Sequence, residues 1–130
     1  MYLLGNFFLL IQKEMENQKR IRVSTKQLNM PTFNLELRVK EFGSILAREI
    51  FLEDVTDRNR RVRNWEQGDG FQFKRLPNFS IADASLEVFV GCQGIAGATV
   101  TCEVIINDKH AGEVVSRVED RFFAQKSFMV

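Results

Sequence analysis

The residues of this chain that could do chemistry are few and far apart. Cys92 and Cys102 are its two cysteines and His110 its one histidine. Structural zinc takes four Cys or His ligands, and catalytic zinc three protein ligands. Two thiols and one distant imidazole fit neither arrangement. A nucleophile–histidine–acid set needs a serine or cysteine on a sharp turn, and no GxSxG elbow occurs. Glu49, Glu53 and Asp54 fall close together, and paired carboxylates can hydrolyse a glycosidic bond. A polar helix face has the same pattern. Gly91, Gly94 and Gly97 recur every third residue inside a strand–turn–strand pattern, not between a strand and a helix, so they make no dinucleotide fingerprint. The expectation is a non-enzymatic chain with no catalytic residue, no metal and no cofactor.

The strongest chemical feature is basic. Arg58, Arg60, Arg61 and Arg63 precede Trp65 in the polar stretch Asp57 to Gly70. Guanidinium forks grip carboxylates and phosphates, and a neighbouring aromatic ring can stack on a base. Arg and Trp are also the residues most enriched at the centres of protein interfaces. The sequence around them weakens the nucleic-acid reading. Asp54, Asp57, Glu66 and Asp69 flank the cluster, and the formal net charge of the whole chain is +1, whereas nucleic-acid-binding domains are basic as a whole. Arg58, Arg60, Arg61, Arg63 and Trp65 are therefore candidate contacts to a protein partner first. Nucleic acid is the alternative.

These residues must be positioned by β-structure. Phe33, Leu35, Leu37 and Val39 alternate with Asn34, Glu36, Arg38 and Lys40, the period of a strand with one face in a core. Lys19 to Ser24 shows a shorter alternation. Phe71 to Leu76 sets Phe71 and Phe73 against Gln72 and Lys74, and Pro77-Asn78 reads as a turn. Leu86, Val88, Val90 and Cys92 share one face, as do Val100, Cys102, Val104 and Ile106. Asn107-Asp108-Lys109 is a hairpin signal, and residues 111–118 and 121–128 supply the last strands. After Gly43-Ser44 the period changes. Phe42, Leu46 and Ile50 recur at intervals of four, which predicts one amphipathic helix over residues 45–55, with a buried strand through Ile50–Leu52 as its rival. Short, closely spaced strands favour an antiparallel β-sandwich or barrel-like domain. The fold class expected is mainly β, with that single helix.

Two further readings depend on this frame. If the 93–98 turn closes a hairpin near Gly97, Cys92 lies opposite Cys102 and Val90 opposite Val104. The thiols are then either a cross-strand disulfide in an oxidising compartment or two small buried hydrophobes. The N-terminal run Leu3 to Ile11 is apolar but nine residues long, whereas a transmembrane helix needs about 20, so no transmembrane span is expected. Residues 1–14 are read as an apolar segment ahead of a single β-rich domain, 15–130. Phe7, Phe8 and Leu9 are candidate hydrophobic contacts. The chain has 12 Phe against one Trp and one Tyr, a bias toward apolar area without a polar handle. No basic residue precedes the apolar run and no small-residue cleavage pattern follows it, which favours the cytoplasm, or a particle assembled there, over secretion. The function expected is a β-domain that self-associates or serves as a subunit of a larger assembly.

Overall fold

The computed structural model describes residues 32–130. They form a sandwich of two antiparallel sheets. The strands in chain order are β1 (Thr32–Phe42), β2 (Ile45–Leu52), β3 (Glu66–Gln67), β4 (Gln72–Ser80), β5 (Ser85–Gly94), β6 (Thr99–Ile106), β7 (Lys109–Arg117) and β8 (Ala124–Met129). The larger sheet runs β3-β4-β1-β6-β7 and the smaller β2-β5-β8. The N-terminal segment 1–14, with Phe7, Phe8 and Leu9, and the alternation at 19–24 lie outside the described residues.

Alternation explains the core. Leu35, Leu37, Val39, Val100, Cys102, Val104 and Val114 project from the large sheet onto Ile50, Leu52, Leu86, Val88, Val90 and Phe128 of the small one, all of them buried. Strands with one apolar face each are satisfied by packing two such faces together. Asn107 and Asp108 both have positive φ, +50° and +64°, and join Ile106 to Lys109 in the two-residue turn whose twist matches that of its strands.

The two sheets are unequal in width, and this builds the site described below. The small sheet packs over the β6 and β7 side of the large one. β4 therefore overhangs. Its inward residues are Gln72, Lys74 and Leu76, paired with Val39, Leu37 and Leu35, and cross-strand partners share a face. Phe73, paired with Arg38, points outward, where Arg38 and Arg75 sit over Phe71 and Phe73 at 5.2 and 4.9 Å.

Three expectations are corrected. Residues 45–52 are a strand, not a helix, and no α-helix occurs among the described residues. A spacing of four satisfies a period of two as well as one of 3.6, so Leu46 and Ile50 suited both, and pairing of β2 along β5 decided between them. Second, 93–98 is an arch between the sheets and not a hairpin. Cys92 pairs with Arg48 on β2, while Cys102 pairs with Val39 and Val114. Third, Pro77-Asn78 does not end its strand. The two residues form a bulge opposite Asn34, with Asn78 at φ +53° and its N–H donating to Asn34 Oδ1 at 3.2 Å, a position that tolerates a proline.

Candidate functional site

Beneath the overhang of β4 the space that a fourth strand of the small sheet would fill is taken by residues 57–65. Asp57 caps a single 3₁₀ turn, Arg58–Arg60, by accepting from Asn59 N–H at 2.9 Å. Arg61 then forms an antiparallel bridge with Phe51, and Val62 N–H donates to Ile50 O at 2.8 Å. These bonds fasten the arginine segment to the outer edge of β2 and cover part of that edge. Val62 and Trp65 pack onto the core.

The result is a cationic cleft. Its walls are Arg58, Arg60, Arg61, Arg63 and Lys74, its floor Leu52, Val62, Leu76 and Phe79, and its volume about 430 Å³. Four of the five predicted residues thus line one cavity, joined by Lys74, whose place in the alternation hid it. Lys74 Nζ donates to Asn64 O at 3.4 Å. A second recess of about 400 Å³ on the other side of the segment is lined by Arg48, Arg61, Arg63 and Trp65.

Two of the flanking acids bond to their own loop and not to the arginines. Asp54 is buried and accepts from Thr56 N–H and Oγ1 at 2.9 and 2.6 Å. Asp57 faces its own turn. Arg61 reaches Glu49 at 3.9 Å, and Glu53 acts on Arg60 through its charge. Arg58, Arg60 and Arg63 make no ion pair among the described residues. Trp65 does not stand free as a stacking surface. It is half-buried against the core, and the Arg48 guanidinium lies 5.6 Å from its ring centroid while pairing with Glu41 at 3.1 Å.

Glu53, beside the cleft, is strained. It has φ +71°, its Oε1 is buried without a hydrogen-bond partner, and burial pushes its carboxyl above the ordinary 4.5. The folded state therefore holds the proton more tightly than the unfolded one. The stabilising contribution is complete below the unfolded value and is lost as pH rises through the raised folded value. Denaturant unfolding across the mildly acidic range will show this loss, and Glu53→Gln will flatten it. Glu53→Gly, which also accepts the left-handed backbone, is expected to add about 1 kcal/mol at neutral pH.

The other candidates disperse. Cys92 and Cys102 belong to different sheets and are both free. Burial pushes the Cys102 thiol up to about 12, so it behaves as a small hydrophobe. Cys92 is half-buried, donates to Ser116 Oγ at 3.5 Å and lines a separate cleft of about 580 Å³ with Arg48, Phe122 and Phe123. Alkylation of the native protein is expected to label Cys92 and spare Cys102, which reacts only after unfolding, a difference peptide mass analysis reads directly. His110 Nδ1 lies 2.8 Å from Glu103 Oε2 on the exposed face of the large sheet, away from the cleft. Among the described residues no three His, Cys, Asp or Glu side chains gather as metal ligands, and no helix is long and apolar enough to cross a membrane.

No family model, curated protein or solved structure matches this chain.

Proposed function

We propose that this β-sandwich is a non-enzymatic binding and assembly module, and that the Arg58–Trp65 cleft receives an acidic segment of another protein chain, either a second copy or a different subunit. One observation carries the reading. Among the described residues, Arg58, Arg60 and Arg63 make no ion pair, and they surround a cleft with an apolar floor. Exposed guanidinium groups such as Arg58 and Arg63, with no ion pair among the described residues, suit carboxylates supplied in trans, and the floor of Leu52, Leu76 and Phe79 suits an apolar residue between them. Nucleic acid is the weaker reading of the same loop, because Trp65 is engaged by the core and by Arg48 and offers no free ring for a base. The sandwich gains nothing from an oxidising compartment, since its two thiols lie in different sheets, and a cytoplasmic assembly suits it.

Light scattering on the full chain, purified together with whatever accompanies it, tests the proposal. It predicts a mass above the 15.1 kDa of one chain and a complex that weakens as salt rises. A monomer at high concentration with no accompanying protein overturns it. Salt-sensitive binding to single-stranded nucleic acid in place of protein returns the assignment to the alternative.

A further inference from the structure

Asp69 and Gly70 form the tip of the β3–β4 turn, and the tip is free while the base is held. At the base Gly68 N–H donates to Phe71 O at 2.8 Å, and Gln67 Nε2 donates to Gly68 O at 3.1 Å. The Phe71 ring packs so closely on Gly68 that a Cβ there would lie 2.9 Å from it. At the tip both residues are exposed, Gly70 has φ +78°, and a Cβ on Gly70 would meet nothing within 4 Å. Among the described residues the Asp69 carboxylate has no hydrogen-bond or ion-pair partner, and the Gly70 N–H has no acceptor.

The chain's other aspartates are engaged or crowded. The carboxylates of Asp54, Asp57 and Asp120 accept backbone N–H groups of Thr56, Asn59 and Arg117 at 2.9, 2.9 and 3.1 Å. Asp83 and Asp108 precede Ala84 and Lys109, whose Cβ atoms crowd the amide that follows. Asp69 alone is followed by glycine. A free carboxyl beside an unhindered, unbonded amide is the arrangement that closes a five-membered ring, since the two groups are already held together by the chain.

We propose that Asp69 is a site of spontaneous covalent modification, at which the chain isomerises to an isoaspartyl linkage through a succinimide with water as the only co-reactant. In the first step Gly70 N attacks Asp69 Cγ. The N–Cγ bond forms, the bond from Cγ to its hydroxyl breaks, and the hydroxyl leaves as water with the amide proton. In the second step water adds to one of the two ring carbonyls. Opening at Cγ restores aspartate. Opening at the backbone carbonyl breaks its bond to Gly70 N, frees an α-carboxylate and leaves the main chain running through the side-chain carbonyl. Mass is unchanged and nothing is oxidised, but the main chain gains one methylene. β3 pairs with β4 only through Glu66 with Phe73 and Gln67 with Gln72, so the lengthened turn falls on the shortest ladder of the large sheet. Asp69 and Gly70 line neither recess beside the arginine segment, so the modification does not depend on what the cleft receives.

The full chain, kept folded at neutral pH and sampled over weeks, tests this through the tryptic peptide that spans residues 64–74. A second form of that peptide is expected, unchanged in mass, shifted in retention and fragmenting on either side of a methylene inserted at residue 69. No such form is expected at Asp54, Asp57 or Asp120. Gly70→Ala, which adds a Cβ beside the attacking nitrogen in open space, is expected to slow the accumulation by at least about fivefold. Asp69→Asn closes the same ring with loss of ammonia and is expected to give the same isoaspartyl peptide faster than the wild type. Absence of the second form from the folded chain would overturn the proposal, and its appearance in the isolated peptide alone would show that the fold holds the tip. Equal accumulation at the other aspartates, a rate unchanged in Gly70→Ala, or no isoaspartyl product from Asp69→Asn would each overturn it as well.

Discussion

Gly94→Ala is expected to destabilise the domain by about 3 kcal/mol, the upper range for forcing an atom into filled space, and to lower its thermal midpoint by roughly 10 °C. The cause is space and not backbone dihedral. A Cβ at Gly94 would lie 2.2 Å from Ser44 O and 3.0 Å from Ile45 Cα. Neither can yield easily, since Ser44 O already accepts from Ile95 N–H at 3.0 Å and Ile45 is paired with Gly94 itself. The β1–β2 turn and the β5–β6 arch touch here, and both must move if the side chain is to fit. Gly70→Ala is the control. Gly70 has φ +78° but nothing within 4 Å of its Cβ, so it incurs only the left-handed backbone penalty of about 1 kcal/mol. Chemical denaturation of the two variants, compared with the wild type, checks the difference. Equal losses would mean that the close approach of the two connections is not as described.

The second large effect concerns the cleft. Reversing Arg58, Arg60 and Arg63 to glutamate is expected to weaken association with the proposed acidic partner chain by at least about a hundredfold, because like charges would then face across the contact, and to remove most of its salt dependence. The fold is expected to survive. Arg58 and Arg63 are exposed, and the bonds that hold the segment in place come from Asp57, Arg61 and Val62 through backbone groups. Circular dichroism and the thermal midpoint should stay near wild type while binding is lost. Lys74→Glu alone is expected to act in the same direction more weakly, since Lys74 forms the opposite wall.

What could be read without coordinates followed from where a pattern has a single physical cause. Phe33, Leu35, Leu37 and Val39 alternate because β1 lies between two neighbours of its own sheet and under the other sheet, and all four are buried. Leu86, Val88, Val90, Val100, Cys102 and Val104 were legible for the same reason. β2 was not. It is an edge strand with Leu46 exposed at one end and Ile50, Phe51 and Leu52 all buried at the other. Phe51, on the outward face, is covered by Phe123 at 5.6 Å and by the bridge to Arg61, and a strand covered on both faces loses its alternation.

The arginine residues stood out by composition, but their site did not. It depends on the small sheet lacking a strand opposite β4, and no local pattern reports the width of a partner sheet. The same overhang inverts the usual meaning of β4, turning Lys74 and Gln72 inward and Phe73 outward. Cys92 and Cys102 were placed on the correct faces and in the wrong relation, because a short glycine-containing connection can close a hairpin or cross between sheets, and local preference does not separate the two.

The claim that the Arg58–Trp65 cleft receives an acidic chain is tested most directly by sedimentation velocity on the wild type and the Arg58→Glu/Arg60→Glu/Arg63→Glu variant at low and high ionic strength. The wild type should sediment as a complex at low salt and shift toward the single chain at high salt. The variant should sediment as the single chain in both. A variant that assembles as the wild type does, with the same salt response, would contradict the account and remove the cleft from the contact.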